Sequence, residues 1–214
     1  MQTLDWYFDF VSPYAYLQHA VFPALPDGVE VRRKPVLFGA LLNRVGTLGP
    51  AEIPGKREFT YRQVLWLAER HRVPIRLPPR HPFNPLSALR LAVALEASPG
   101  VVRRIFEFIW AEGRDPSDLT EFDALAQALD IVDARPLIAD PAVKARLRRN
   151  TDEAIAAGAW GVPTFVVDGL CFWGFDAGDM LLDHLSAPSR FSTGEYARIA
   201  SLPALARNIR EPTS

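Results

Sequence analysis

The chain has 214 residues, 49% hydrophobic and 23% charged, with 24 Lys and Arg against 25 Asp and Glu. That much apolar surface builds a real core, so a disordered or collagen-like chain is excluded, and the length suits one elaborated domain. A net charge of −1 leaves no electrostatic footprint for a nucleic-acid partner, and a single Cys can close no internal disulfide and build no Cys-rich zinc site.

The N-terminus, MQTLDWYFDFVSPYAY, has no basic n-region and carries Asp5 and Asp9 inside its apolar stretch, unlike a signal peptide. No apolar run approaches the ~20 residues of a membrane span. A soluble, cytoplasmic protein is expected. Leu4, Trp6, Phe8 and Phe10 alternate with Asp5, Tyr7 and Asp9, the period of a strand. Ser12-Pro13 then opens a helix, Ser as N-cap and Pro at the first helical position. Leu17, Ala20, Val21 and Ala24 form its apolar face. Pro26-Asp27-Gly28 turns the chain into a second strand from Val29 to Pro35. The short helical crossover favours parallel pairing of the two strands.

Residues 40–57, rich in Gly and Pro, read as loop with one helical turn. Apolar residues then fall at helical spacing in four blocks: Tyr61 to Ala68, Leu86 to Val93, Val102 to Trp110, and Phe122 to Leu129, the last capped by Thr120. A fifth helix starts at Asp140-Pro141 and stops at Gly158. Thr164 to Val167 and Leu170 to Trp173 are strands joined by the hairpin turn Asp168-Gly169. A last amphipathic helix spans about 177–185, and 187–214 is a polar tail with a short helix near Tyr196 to Ala200. The layout, β-α-β, helices, then β-β-α, is that of an α/β thioredoxin-like fold. Residues 1–37 and 158–186 form the thioredoxin-like domain, 38–157 an all-helical insertion and 187–214 the C-terminal tail.

Three segments carry chemistry. Ser12 places a hydroxyl at the positive end of a helix dipole, a position that stabilises an anion such as a thiolate, though a Ser-Pro pair also simply caps helices. Val162-Pro163 precedes a strand. A cis bond there would turn the Val162 backbone toward the facing loop, whereas a trans Pro would merely open the strand. Asp176, in Trp173-Gly174-Phe175-Asp176, can cap the last helix or accept an amine.

FDFVSPYAY at 8–16, KPVLFGAL at 34–41, IPGK at 53–56, NPLSALR at 84–90, GAWGVPTFVVDG at 158–169 and FWGFD at 172–176 occur together in order. In these the chain resembles the 2-hydroxychromene-2-carboxylate isomerase group, close to kappa-class glutathione transferases and DsbA-like proteins. The resemblance implies a glutathione cofactor and a catalytic Ser12 whose hydroxyl donates to the glutathione sulfur. It also implies that Val162 and Pro163 hold the cysteinyl unit, and that Trp173, Gly174, Phe175 and Asp176 hold the γ-glutamyl end. Such an isomerase acts on an aromatic ring-cleavage intermediate by thiol addition, bond rotation and elimination, returning its glutathione. A homodimer is implied too. Ser12 and Ala15 stand where a redox pair of cysteines would be, which excludes a thiol–disulfide oxidoreductase.

The chain also departs from that pattern. Ala177 replaces an Arg, Thr47 falls where an Asn is usual, and Leu42 and Phe83 lie where polar aryl-substrate contacts are expected. Thr47, Lys56, Phe83 and Asn84 are candidate substrate contacts and Arg90 a candidate carboxylate partner. Lys56 and Arg90 also read as solvated surface, and Asn84 as a helix cap. The four His show no ligand spacing, so no metal is assigned. Cys171 reads as a small buried hydrophobe, and Lys144 to Arg149 as the wet side of a helix. A kappa-like transferase and a thioredoxin-fold binding module without chemistry are the rival readings.

Overall fold

A computed structural model describes residues 2–22 and 25–203. Its sheet has four strands in the order β2-β1-β3-β4. β1 (Gln2–Phe8) and β2 (Val29–Pro35) pair in parallel, with Trp6 opposite Arg33. β3 (Thr164–Val167) runs antiparallel to β1, and β4 (Leu170–Trp173) antiparallel to β3. Asp168 and Gly169 have φ of 50° and 76°, the double left-handed turn that a two-residue hairpin requires. α1 (Pro13–Ala20) forms the crossover between β1 and β2. Ala24, assigned to its apolar face, lies outside the described residues.

The alternation in β1 sets the two faces of the sheet. Leu4, Trp6 and Phe8 are fully buried, and Trp6 stacks on Phe8 at 4.4 Å. On the other face Asp5 is only part-buried, but Tyr7 is buried and packs with Val36, Leu41, Ala154, Ala159 and Val162 in a second, smaller core. Both faces are therefore covered.

The middle holds more helix than expected. The stretch read as loop contains α2 (Phe38–Val45), a 3-10 turn at Pro50–Glu52, and the start of α3 (Lys56–His71). Gly46, left-handed at φ 68°, ends α2 as a C-terminal cap. α4 (Leu86–Ala94) and α5 (Pro99–Phe106) follow, α5 continuing into a π turn at Glu107–Ala111. α6 (Leu119–Gln127) is capped by Asp118, whose carboxylate accepts from the backbone N–H of Thr120 and Glu121. Thr120 is thus a first-turn donor and not the cap: the acidic oxygen two residues upstream reaches the free amides. A short α7 (Arg135–Ala139) precedes α8 (Pro141–Ala156), which Asp140 caps as expected.

α9 (Gly178–Ser186) closes the thioredoxin-like part. Beyond it, Pro188–Ser192 is a 3-10 turn and α10 spans Gly194–Arg198. Phe191 of this tail packs on Phe172 and on the buried His184, whose Nε2 lies 3.0 Å from Asp168. Cys171 sits part-buried with its Sγ against the Ala157 carbonyl, and burial pushes its thiol pKa up. Lys144, Arg148 and Arg149 face solvent, while Leu147 between them is buried.

Candidate functional site

The site is built where β1 ends and α1 begins. Ser12 is an N-cap in extended conformation (φ −90°, ψ 113°), and its Oγ accepts from the backbone N–H of Ala15 at 3.2 Å. It is 5% exposed. Since Oγ serves as acceptor, the hydroxyl hydrogen remains able to donate outward, beside the N-terminus of α1. Capping and anion stabilisation are therefore compatible here.

Asp9, three residues earlier, was not singled out by sequence, yet it organises this loop. It is 1% exposed. Its carboxylate accepts from the N–H of Val11 at 3.0 Å and of Phe38 at 2.9 Å, and its carbonyl accepts from the N–H of Ser12 at 3.1 Å. Phe38 is the first residue of α2, so one buried carboxylate ties the approach to α1 to the start of α2. Burial pushes its pKa up to about 7, against the pull of the surrounding backbone N–H groups. An acidic residue at the end of an apolar strand was the signal in the sequence.

The helical insertion grips the same loop from the other side. Trp110 Nε1 donates to the Phe10 carbonyl at 2.9 Å, and His81 Nε2 lies 2.7 Å from the Val11 carbonyl. The Tyr14 hydroxyl donates to Gln63 Oε1 at 2.7 Å, and that of Tyr16 to the Pro74 carbonyl.

Opposite stand the two C-terminal motifs. The Val162–Pro163 bond is cis, and the Val162 N–H and C=O make no backbone hydrogen bond among the described residues. The Pro163 carbonyl accepts from Gly174 N–H at 2.9 Å. Gln18 on α1 donates to the Gly174 carbonyl at 2.8 Å and accepts from Trp6 Nε1 at 2.7 Å, which locks the FWGFD segment to α1. Gly174 has φ 98°, and a Cβ there would meet Asp176 Oδ1 at 2.7 Å. Only Gly suits this position.

Asp176 does not cap α9, the other reading of its position: its exposed carboxylate makes no hydrogen bond or ion pair among the described residues. It lies near enough to Tyr14 to add to the burial that pushes the Tyr14 pKa up. Phe175 is part-buried and meets His71 edge-on at 5.2 Å. Trp173, 50% exposed, lies 6.0 Å from Trp160, 46% exposed.

The remaining candidates scatter. Thr47 is exposed just after α2, and Lys56 is exposed at the first turn of α3. Phe83 is 7% exposed, packed against His81 and Trp110. Asn84 Oδ1 accepts from Leu86 N–H at 3.0 Å, the local cap that its position suggested. The Arg90 Nε is buried without a partner among the described residues.

These features define a thioredoxin-like fold with a helix-capping Ser at the start of α1. A family model described as a DSBA-like thioredoxin domain matches residues 3–186, and the chain belongs to that family. It is 27% identical over 191 residues to a 2-hydroxychromene-2-carboxylate isomerase of Sphingobium xenophagum, covering 86% of this chain and 98% of the relative. It is 24% identical over 200 residues to glutathione S-transferase kappa 1 of Rattus norvegicus, covering 85% and 88%. Among solved structures, a 2-hydroxychromene-2-carboxylate isomerase superposes with a TM-score of 0.74 at 22% identity, covering 88% of this chain and 96% of that one. The cytosolic disulfide reductase DsbM of Pseudomonas aeruginosa with GSH superposes with a TM-score of 0.59 at 18% identity, over 86% and 96%. Both superpositions establish the shared fold.

Proposed function

We propose that the protein is a glutathione-dependent isomerase of the 2-hydroxychromene-2-carboxylate isomerase type, acting in the cytoplasm as a homodimer on an aromatic ring-cleavage intermediate. One observation carries this reading. The Ser12 hydroxyl sits at the N-terminus of α1 with its oxygen engaged as acceptor and its hydrogen uncommitted. Two further polar groups suit the tripeptide, one at its γ-glutamyl end and one at its middle residue. The Asp176 carboxylate, unpaired among the described residues, suits the γ-glutamyl ammonium, and the Val162 backbone, likewise unpaired among them, suits the cysteinyl amide. Ala177, a methyl side chain beside Asp176, supplies nothing to a glutathione carboxylate.

Bound there, glutathione supplies the thiol nucleophile. Ser12 donates a hydrogen bond to the sulfur, and the α1 N-terminus favours its anionic form, as helix termini do for cysteine thiolates. Asp176 fixes orientation by a charge-assisted hydrogen bond. The half-exposed Trp160 and Trp173 offer flat apolar surface to an aryl substrate.

Titration with glutathione, followed by tryptophan fluorescence and calorimetry, tests the reading. Wild type binds and deepens thiolate ultraviolet absorbance at neutral pH. Ser12→Ala binds but leaves the thiol protonated, at roughly tenfold less thiolate for each unit of pKa. Absence of binding at millimolar glutathione overturns the proposal. The likeness to the rat kappa transferase supports a second reading, transfer of glutathione to an electrophile. Accumulation of a stable conjugate marks the transferase, whereas the isomerase returns its glutathione unchanged.

A further inference from the structure

Both carbonyls that lead into Ser12 are held by ring N–H groups of the helical insertion: that of Phe10 by Trp110 and that of Val11 by His81. Trp110 donates and has no alternative. His81 has two ring nitrogens, and its surroundings decide between them. A backbone carbonyl can only accept, so Nε2, 2.7 Å from the Val11 oxygen, carries the hydrogen. Nδ1 of the neutral ring is then an acceptor, and the Tyr61 hydroxyl, 2.8 Å from it and 3.2 Å from the His81 carbonyl, has the ring nitrogen as the nearer acceptor for its one hydrogen. The ring is wedged edge-on against Trp110 at 5.3 Å and Phe83 at 6.0 Å, which fixes its plane. Arg57 lies over the outer face of Tyr61, 5.2 Å from the ring centre.

We propose that His81 is a positioning residue for Ser12. It holds the Val11 carbonyl, and Tyr61 holds His81 in the tautomer that can do so. The inference rests on the glutathione reading of Ser12 for its consequence, but not for its geometry. A peptide plane links the Val11 carbonyl to the Ser12 nitrogen. Holding that plane, together with the Ser12 N–H to Asp9 carbonyl bond, leaves the cap residue little freedom to rotate. The Ser12 hydroxyl and the first-turn amides of α1 are thereby aimed at one spot before any ligand arrives, as preorganised donors must be.

Four chains test this: wild type, His81→Gln, His81→Phe and Tyr61→Phe. The Gln amide reaches about as far as imidazole Nε2 and donates, whereas Phe fills the space and cannot donate. Two readouts are compared. The first is the exchange rate of the Ala15 amide, which bonds to both Ser12 Oγ and the Ser12 carbonyl and needs no ligand. The second is the thiol pKa of bound glutathione, set against its dissociation constant. His81→Phe is expected to speed Ala15 exchange and raise the thiol pKa, each by roughly tenfold, the size of one ordinary hydrogen bond. Affinity changes far less. His81→Gln restores both, and Tyr61→Phe falls between, with nitrogen-15 shifts reporting a second His81 tautomer.

A folded His81→Phe chain with wild-type exchange overturns the proposal, as does a His81→Gln chain no better than His81→Phe. So does a wild-type ring protonated on Nδ1 alone. If wild type binds no glutathione, the proposed function falls, and the exchange and tautomer results still decide the role of His81 in holding the loop.

Discussion

Two titratable side chains with opposite shifts, the buried Asp9 and the part-buried His19, give the residue scale its clearest test. Asp9 is raised to about 7 by burial, so the native state binds its proton more tightly than the unfolded chain does. Its contribution is present at low pH and is lost as pH climbs from about 4 to about 7. His19 is lowered to about 4, first by burial and then by Arg33 and Arg103. Its neutral native ring contributes stability above about 6.5 that is lost as pH falls toward about 4. The two slopes oppose each other. Urea unfolding of Asp9→Asn between about pH 4.5 and 6.5 should therefore show stability rising with pH more steeply than in wild type, because the His19 part stands unopposed. Parallel slopes would mean that Asp9 stays ionised in the native state.

Gly161 is a second residue-scale case. A Cβ there would lie 2.5 Å from Trp173 Nε1, so Gly161→Ala must swing the indole. Trp173 is half-exposed and can move outward, so a small loss of stability, about 1 kcal/mol, should accompany a red-shifted emission and weaker glutathione binding. Unchanged emission would mean that the indole does not rest on Gly161.

At the scale of elements, caps and turns follow from a few adjacent residues. Ser12-Pro13, Asp140-Pro141 and Asp168-Gly169 each do locally what their residue types favour, and all three are legible in the sequence. Thr120 shows how narrow the margin is. Asp118 and Thr120 are both good caps, and only the packing of Phe122, Leu125 and Ala126 fixes which turn starts the helix. Asp118→Ala should cost about 1 kcal/mol in thermal or urea unfolding, and Thr120→Ala only a few tenths. A reversed order would move the start of α6 by two residues. In the sequence α2 shows only as one helical turn within a loop, because Gly39 and Gly46 bracket a short apolar run that packing over the second core stabilises more than propensity does.

For the whole molecule, the decisive feature is one main core shared by the first βαβ unit, the helices between β2 and β3, and the C-terminal hairpin. Trp6 and Phe8 from β1, Leu89, Phe106 and Trp110 from the insertion, and Phe165 and Phe172 from the returning strands belong to one buried cluster. A shared core couples unfolding of these parts. Helix loss by circular dichroism and exposure of Trp6 and Trp110 by fluorescence should fall on one urea transition. Separate midpoints would show an insertion that melts alone.

The parallel first unit, the C-terminal hairpin and the caps at Ser12 and Asp140 were determined by the sequence, because period, capping and turn chemistry act over a few residues. Tertiary structure alone decided that Tyr7 and Asp9 are buried, that Asp176 is left unpaired among the described residues, and that Trp110 and His81 hold the loop before Ser12. Those two contacts join residues 100 and 70 positions apart. No local pattern encodes them, since they exist only once the insertion has packed onto the sheet and its polar groups must find partners there.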